Sequence, residues 1–96
     1  MSLDSEHSEF ARLIAQHGRS VRGYIMANVP RFSDADEDWQ EATVRLWLEF
    51  DKFEPASNFA AWAIRVAYFV ILTSQRIRKS LRRCVEQRLL NAELPL

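Results

Sequence analysis

The chain has 96 residues, of which 48% are apolar and 27% charged, with two glycines, three prolines and one cysteine. That length and balance suit one domain around one hydrophobic core and exclude a disordered or low-complexity chain. Cys84 alone can form no internal disulfide, no signal peptide opens the sequence, and the most apolar stretch, the fourteen residues Phe59 to Leu72, is shorter than the roughly 20 residues a membrane span requires. The expectation is a cytoplasmic protein with no membrane insertion. Formal net charge is zero, but residues 1–60 hold eleven Asp or Glu against six Lys or Arg, whereas residues 61–96 hold two against seven. An acidic half followed by a basic half suggests partners of different charge.

In chain order, the first predicted helix runs from Ser5 to about Val29. Phe10, Leu13, Ile14, Val21, Tyr24, Ile25 and Val29 fall at three- and four-residue spacing on one stripe, and Pro30 stops the helix. Gly18 and Gly23 are expected to weaken it and to permit a bend. A second helix is predicted to begin at Ser33, which forms an S-x-x-D pattern with Asp36 at the head of an acidic first turn. Its apolar stripe is Trp39, Ala42, Thr43, Leu46, Trp47 and Phe50. A loop from Asp51 to Ala56 contains Pro55, and Ser57 or Asn58 supplies a cap for the third helix.

Helix three has its stripe at Phe59, Trp62, Ala63, Val66, Ala67 and Val70, and it leaves Ala60, Ile64, Tyr68, Phe69 and Leu72 on other faces. So apolar a helix should serve as core on one side and as contact surface on another. Beyond Thr73 the chain turns basic, and Val85, Leu89 and Leu90 suggest a short fourth helix. The fold class is therefore all-α, a compact bundle of three main helices with that short addition.

Several chemistries can be weighed from these residues. A calcium loop counted from Asp34 needs Gly at its sixth place and Glu at its twelfth, and the chain has Trp39 and Arg45 there, so the acidic cluster is not an EF-hand. It reads either as a solvated helix start or as a polar docking rim around an apolar anchor at Trp39. Arg76, Arg78, Lys79, Arg82 and Arg83 place five cations in eight residues. They form either a solvated helix end or a phosphate-contacting run adjoining Tyr68 and Phe69, the combination suited to unstacked nucleic-acid bases. His7, His17 and Cys84 have no zinc spacing. No glycine-rich phosphate loop or activated nucleophile is apparent, so neither an enzyme nor a cofactor is expected.

Taken together, DEDWQEATVRLWLEFDKF, the loop EPASN, and FAAWAIRVA leading into a basic tail resemble the second conserved region of bacterial RNA polymerase sigma factors, particularly the extracytoplasmic-function group. The similarity extends from about Phe10 to Arg83. The resemblance implies that Glu37, Asp38, Gln40, Glu41 and Arg45 dock on the clamp helices of the polymerase β′ subunit. It further implies that the loop, with Phe53, Ser57 and Asn58, receives a base flipped from the minus-ten element. Helix three, with Arg65, Tyr68, Phe69, Arg76, Arg78 and Lys79, would then face the non-template promoter strand, and an anti-sigma factor is a further implied partner.

Where this chain has Phe69, family members often carry Asn or another polar residue, and where it has Tyr68 often a basic one. Phe69 cannot hydrogen-bond a base edge, so it would act by stacking and shape or would meet protein instead. Family members also carry a helix-turn-helix domain that reads the minus-thirty-five element, so residues 1–96 are expected to be one domain of a longer protein. The rival expectation is a helical adaptor that binds protein or sequesters a regulator without touching DNA.

Overall fold

Proline and turn-forming residues divide the chain close to where the spacing predicts. A computed structural model describes residues 3–93, with α1 at Leu3–Asn28, α2 at Phe32–Leu48, a 3₁₀ turn at Phe50–Lys52 and α3 at Phe59–Glu93. Among the described residues there is no strand, and the architecture is an all-α bundle of three helices.

α1 ends where Pro30 approaches. The Val29 N–H donates to the Ile25 carbonyl at 2.9 Å, which satisfies an acceptor that the helix end leaves open, and the Asn28 side-chain amide adds a donor to the Tyr24 carbonyl at 2.8 Å. α2 begins one residue earlier than expected, at Phe32. Its N-cap is Arg31 in extended backbone geometry, with no side-chain cap hydrogen bond. Ser33 therefore lies inside the first turn instead of capping it, and Asp36 accepts from the Gln40 amide at 2.9 Å. The cap expected for α3 does form: Asn58 Oδ1 accepts the Ala61 N–H at 3.1 Å.

The core draws on the stripes read from spacing and adds Ala35 and Ile71, while Trp39, Trp47, Phe50, Trp62 and Val66 are only partly buried against it. Phe10, Leu13, Val21, Ile25 and Val29 of α1 meet Ala35, Ala42 and Leu46 of α2 and Phe59, Ala63, Ala67, Val70 and Ile71 of α3. Four of these are alanines, so the helices approach closely with little side-chain bulk between them. Trp39 is half-buried, and its ring edge lies 3.4 Å from where a Cβ on Gly18 would stand. The indole is thus packed against α1 and is not an exposed anchor.

α3 does not break for a separate fourth helix. Between Phe59 and Glu93 there is neither glycine nor proline, and the helix runs unbroken for 35 residues, about 52 Å at 1.5 Å per residue. Val85, Leu89 and Leu90 lie on this same helix and are exposed. Every residue from Lys79 to Ala92 is exposed, so the last turns project past the bundle.

Two substitutions test this packing in opposite directions. Leu46→Ala, at a fully buried position, should lower unfolding free energy by about 2–5 kcal/mol. Gly23→Ala should raise it by about 1 kcal/mol, because nothing lies within 4 Å of the new methyl and alanine favours the helix. Urea denaturation of both variants measures each effect.

Candidate functional site

Acidic α2 and basic α3 meet at one buried ion pair. Asp38 is 2% exposed and lies on the inward face of α2 in line with Ala35, Ala42 and Leu46. Arg78 reaches it across the seam: Nη2 donates to Oδ1 at 2.8 Å and Nη1 approaches Oδ2 at 3.4 Å. The same guanidinium donates to the Asp34 carbonyl at 3.1 Å, lies 3.5 Å from the Asp34 carboxylate, and is 3.8 Å from Glu37. Partial burial opposes the charge on Arg78, but the hydrogen bond and charge of Asp38, supported by Asp34 and Glu37, outweigh it and raise the guanidinium pKa above its ordinary value.

Two sequence-derived placements change as a result. Asp38 is enclosed and offers no surface to a docking partner, and Arg78 is occupied at the seam instead of extending toward a phosphate. The charges on either side of them remain open. Glu37, Gln40, Glu41 and Arg45 are exposed along α2, with Glu41 and Arg45 paired at 3.6 Å. Between and beyond them stand Val44, 54% exposed, and Leu48, 67% exposed. Spacing had a signal for both, because neither falls on the core stripe. They, and not Trp39, are the exposed apolar side chains on this face. On α3, Arg76, Lys79, Arg82 and Arg83 are exposed, and among the described residues none is paired with a carboxylate.

A groove of about 860 Å³ runs between α2 and α3. Glu37, Glu41 and Arg45 line one side, Arg65 and Phe69 the other, and Trp62 and Val66 also line it. The structure therefore brings Arg65 and Phe69, expected on a DNA face, beside the α2 acids. Tyr68, 48% exposed, and Phe69, 57% exposed, contact each other edge to face with ring centroids 5.2 Å apart. Neither is core, and Tyr68 is not part of the groove.

The loop is held by rings. Phe53 is half-buried, with centroids 5.9 Å from Phe50, 5.4 Å from Phe59 and 5.2 Å from Trp62. Phe50 in turn contacts Phe10 at 5.2 Å. Ser57 donates both its N–H and its hydroxyl to the Glu54 carbonyl, at 2.9 and 2.7 Å, which closes the turn. A second hollow, of about 440 Å³, opens between this loop and α1, where Ser57 and Asn58 face Arg12 and His17. The α1 contribution was not legible beforehand, since nothing in the spacing of His17 beyond its lack of a zinc pattern ties it to the loop. Among the described residues no three His, Cys, Asp or Glu gather as a metal site, and no helix is long and apolar enough to cross a membrane.

Compared with known families, the chain matches the model described as sigma-70 region 2 over residues 13–83, about three-quarters of its length. No curated protein and no solved structure matches it significantly.

The capping geometry makes a direct prediction. Asn58→Ala should cost about 1 kcal/mol, whereas Asn58→Asp, which keeps an acceptor at the cap, should stay within a few tenths of the parent. Denaturation midpoints of the two variants check this.

Proposed function

We propose, from the premise that this chain belongs to the sigma-70 region 2 family, that it is the core-binding and minus-ten-recognition module of an extracytoplasmic-function sigma factor. The family is one of transcription initiation and not an enzyme family; in general its members bind RNA polymerase and recognise the promoter minus-ten element. For this chain, the open face of α2 docks on the β′ clamp helices. Glu37, Gln40, Glu41 and Arg45 form the polar rim and Val44 with Leu48 the apolar centre, the arrangement in which a few desolvated residues carry most of the binding energy.

The loop around Phe53, Ser57 and Asn58 takes a base flipped from the non-template strand. Tyr68 presents an exposed ring for stacking, and Arg76 and Lys79 hold the phosphates. Arg65 and Phe69 border the groove beside the docking acids, where strand and polymerase converge. Promoter and polymerase both place this work in the cytoplasm, and an anti-sigma factor would act by covering one of the two faces.

One observation carries the reading: Arg78 takes up Asp38 and Asp34 and reaches Glu37, and what remains is an exposed polar face on α2, with Glu41 paired to Arg45, and an unpaired basic run on α3. A helical adaptor needs the first and has no use for the second. Two measurements separate these readings. Gln40→Ala combined with Glu41→Ala should reduce recovery of core polymerase in a pull-down by about tenfold, equivalent to about 1.4 kcal/mol; equal recovery would remove the docking site. For single-stranded promoter DNA, Arg76→Ala combined with Lys79→Ala should flatten the logarithmic salt dependence by about 1.4, at roughly 0.7 for each phosphate no longer neutralised. An adaptor would show no salt-dependent binding to DNA in the first place.

A further inference from the structure

Large apolar side chains left exposed on α3 form a single row. Phe69, Ile77, Leu81, Val85 and Leu89 are each 55–60% exposed, and with Thr73, also exposed, they stand four residues apart from one another. Residues at this spacing make the oblique ridge whose interdigitation gives the commonest helix packing. Phe69, Thr73, Ile77 and Leu81 line the groove between α2 and α3. Val85 and Leu89 carry the row onto the last turns of α3, where every residue from Lys79 to Ala92 is exposed. A ridge about 30 Å long, at 1.5 Å per residue, thus has no cover within the chain.

Its shape selects what covers it. Each four-residue step turns the row by about 40° round the helix axis, about 200° in all, so a flat lipid surface could meet only part of it. A second α3 running antiparallel meets it better, because the row is symmetric about its own midpoint. A two-fold axis between Ile77 and Leu81 sets Ile77 against Leu81 of the other copy, Thr73 against Val85 and Phe69 against Leu89. Such an isologous contact is self-complementary and closes on itself.

Charge obeys the same symmetry. Arg88 is seven residues from Leu81 and eleven from Ile77, so it stands on their side of the helix, and among the described residues no carboxylate pairs with it. In the antiparallel register it comes level with Val70 of the other copy, in the groove whose α2 wall carries Glu41. Each copy therefore offers an acidic groove wall and a basic projecting end, and two copies match twice.

We propose that the groove between α2 and α3 and the projecting end of α3 form a self-association site, occupied by a second copy of this chain in an antiparallel two-fold dimer. Arg76 and Lys79 lie off the ridge on other sides of α3, so the dimer leaves them open. It encloses the groove wall with Glu41 and Arg45, and on the docking role proposed above, a clause that rests on that role, self-association and polymerase binding exclude each other.

Sedimentation velocity of the whole chain over a concentration series tests this, with helix content checked by circular dichroism. The parent should pass from monomer to dimer as concentration rises. Leu81→Asp, which puts a carboxylate beside the two-fold axis in both copies, should stay monomeric. Arg88→Glu and Glu41→Arg should each weaken the dimer about tenfold, and the two combined should recover most of the loss; no recovery would overturn the antiparallel register. Arg76→Ala with Lys79→Ala should leave the dimer unchanged. A parent that remains monomeric at about 1 mM, or a Leu81→Asp variant that dimerises like the parent, overturns the site. At concentrations where the parent is dimeric, Leu81→Asp should capture more core polymerase than the parent does. Equal capture would overturn the exclusion while the dimer stands, and capture by neither would overturn the docking role instead.

Discussion

A carboxylate with 2% exposure between two helices must be answered by a cation, and in this fold the answer comes from 40 residues downstream. Arg78 presents a planar fork to Asp38 and uses its other donors on Asp34 and its carbonyl. Removing Arg78 leaves the buried Asp38 charge unpaired, at a cost of about 3–5 kcal/mol, although the pair itself adds less than well-packed apolar residues of the same volume would. Its value on this account is register. The fork fits the carboxylate at one rotation and one axial position of α3 against α2, whereas the alanines packed elsewhere in that seam would tolerate sliding.

With that register fixed, the remaining charges separate onto different faces. Cations of α3 beyond Arg78 lie past the start of α2 and face solvent. Acids of α2 outside the seam stay open along the helix, around Val44 and Leu48. The two sets are joined by a rigid connection through α3. The aromatic chain from Phe10 through Phe50 and Phe53 to Phe59 ties the loop to α1 as well. The excess of apolar residues on α3 resolves in the same way. Phe59, Ala63, Ala67, Val70 and Ile71 are core, while Tyr68 and Phe69 remain available for contact.

Much of this was legible in the sequence, because periodicity reports burial directly. The stripes of α1 and α3, the stop at Pro30 and the Asn58 cap all follow from spacing and local chemistry. What escaped was long-range. Asp38 looked like one more solvated acid of a helix start, although its position in line with Ala35, Ala42 and Leu46 marks it as inward. Its partner cannot be named without knowing how α3 crosses α2. The S-x-x-D pattern at Ser33 failed for a local reason, since the backbone at Arg31 starts the helix a residue early and carries the serine into the first turn. The projection of α3 past the bundle was legible only as an absence of breakers from Phe59 to Glu93. The hollow beside the loop needed the fold itself, because its two walls come from residues at least 36 positions apart.

The most direct test of the seam is a double-mutant cycle on Asp38→Ala and Arg78→Ala, read by chemical denaturation. If the pair sets the register of α2 against α3, Arg78→Ala loses about 3–5 kcal/mol and Asp38→Ala less, because Arg78 keeps Asp34 and Glu37. The double variant should then lose less than the two losses combined, with a coupling of about 2–3 kcal/mol. Strictly additive losses would mean that the two side chains act independently, and the account of a seam that holds two working faces in place would be wrong.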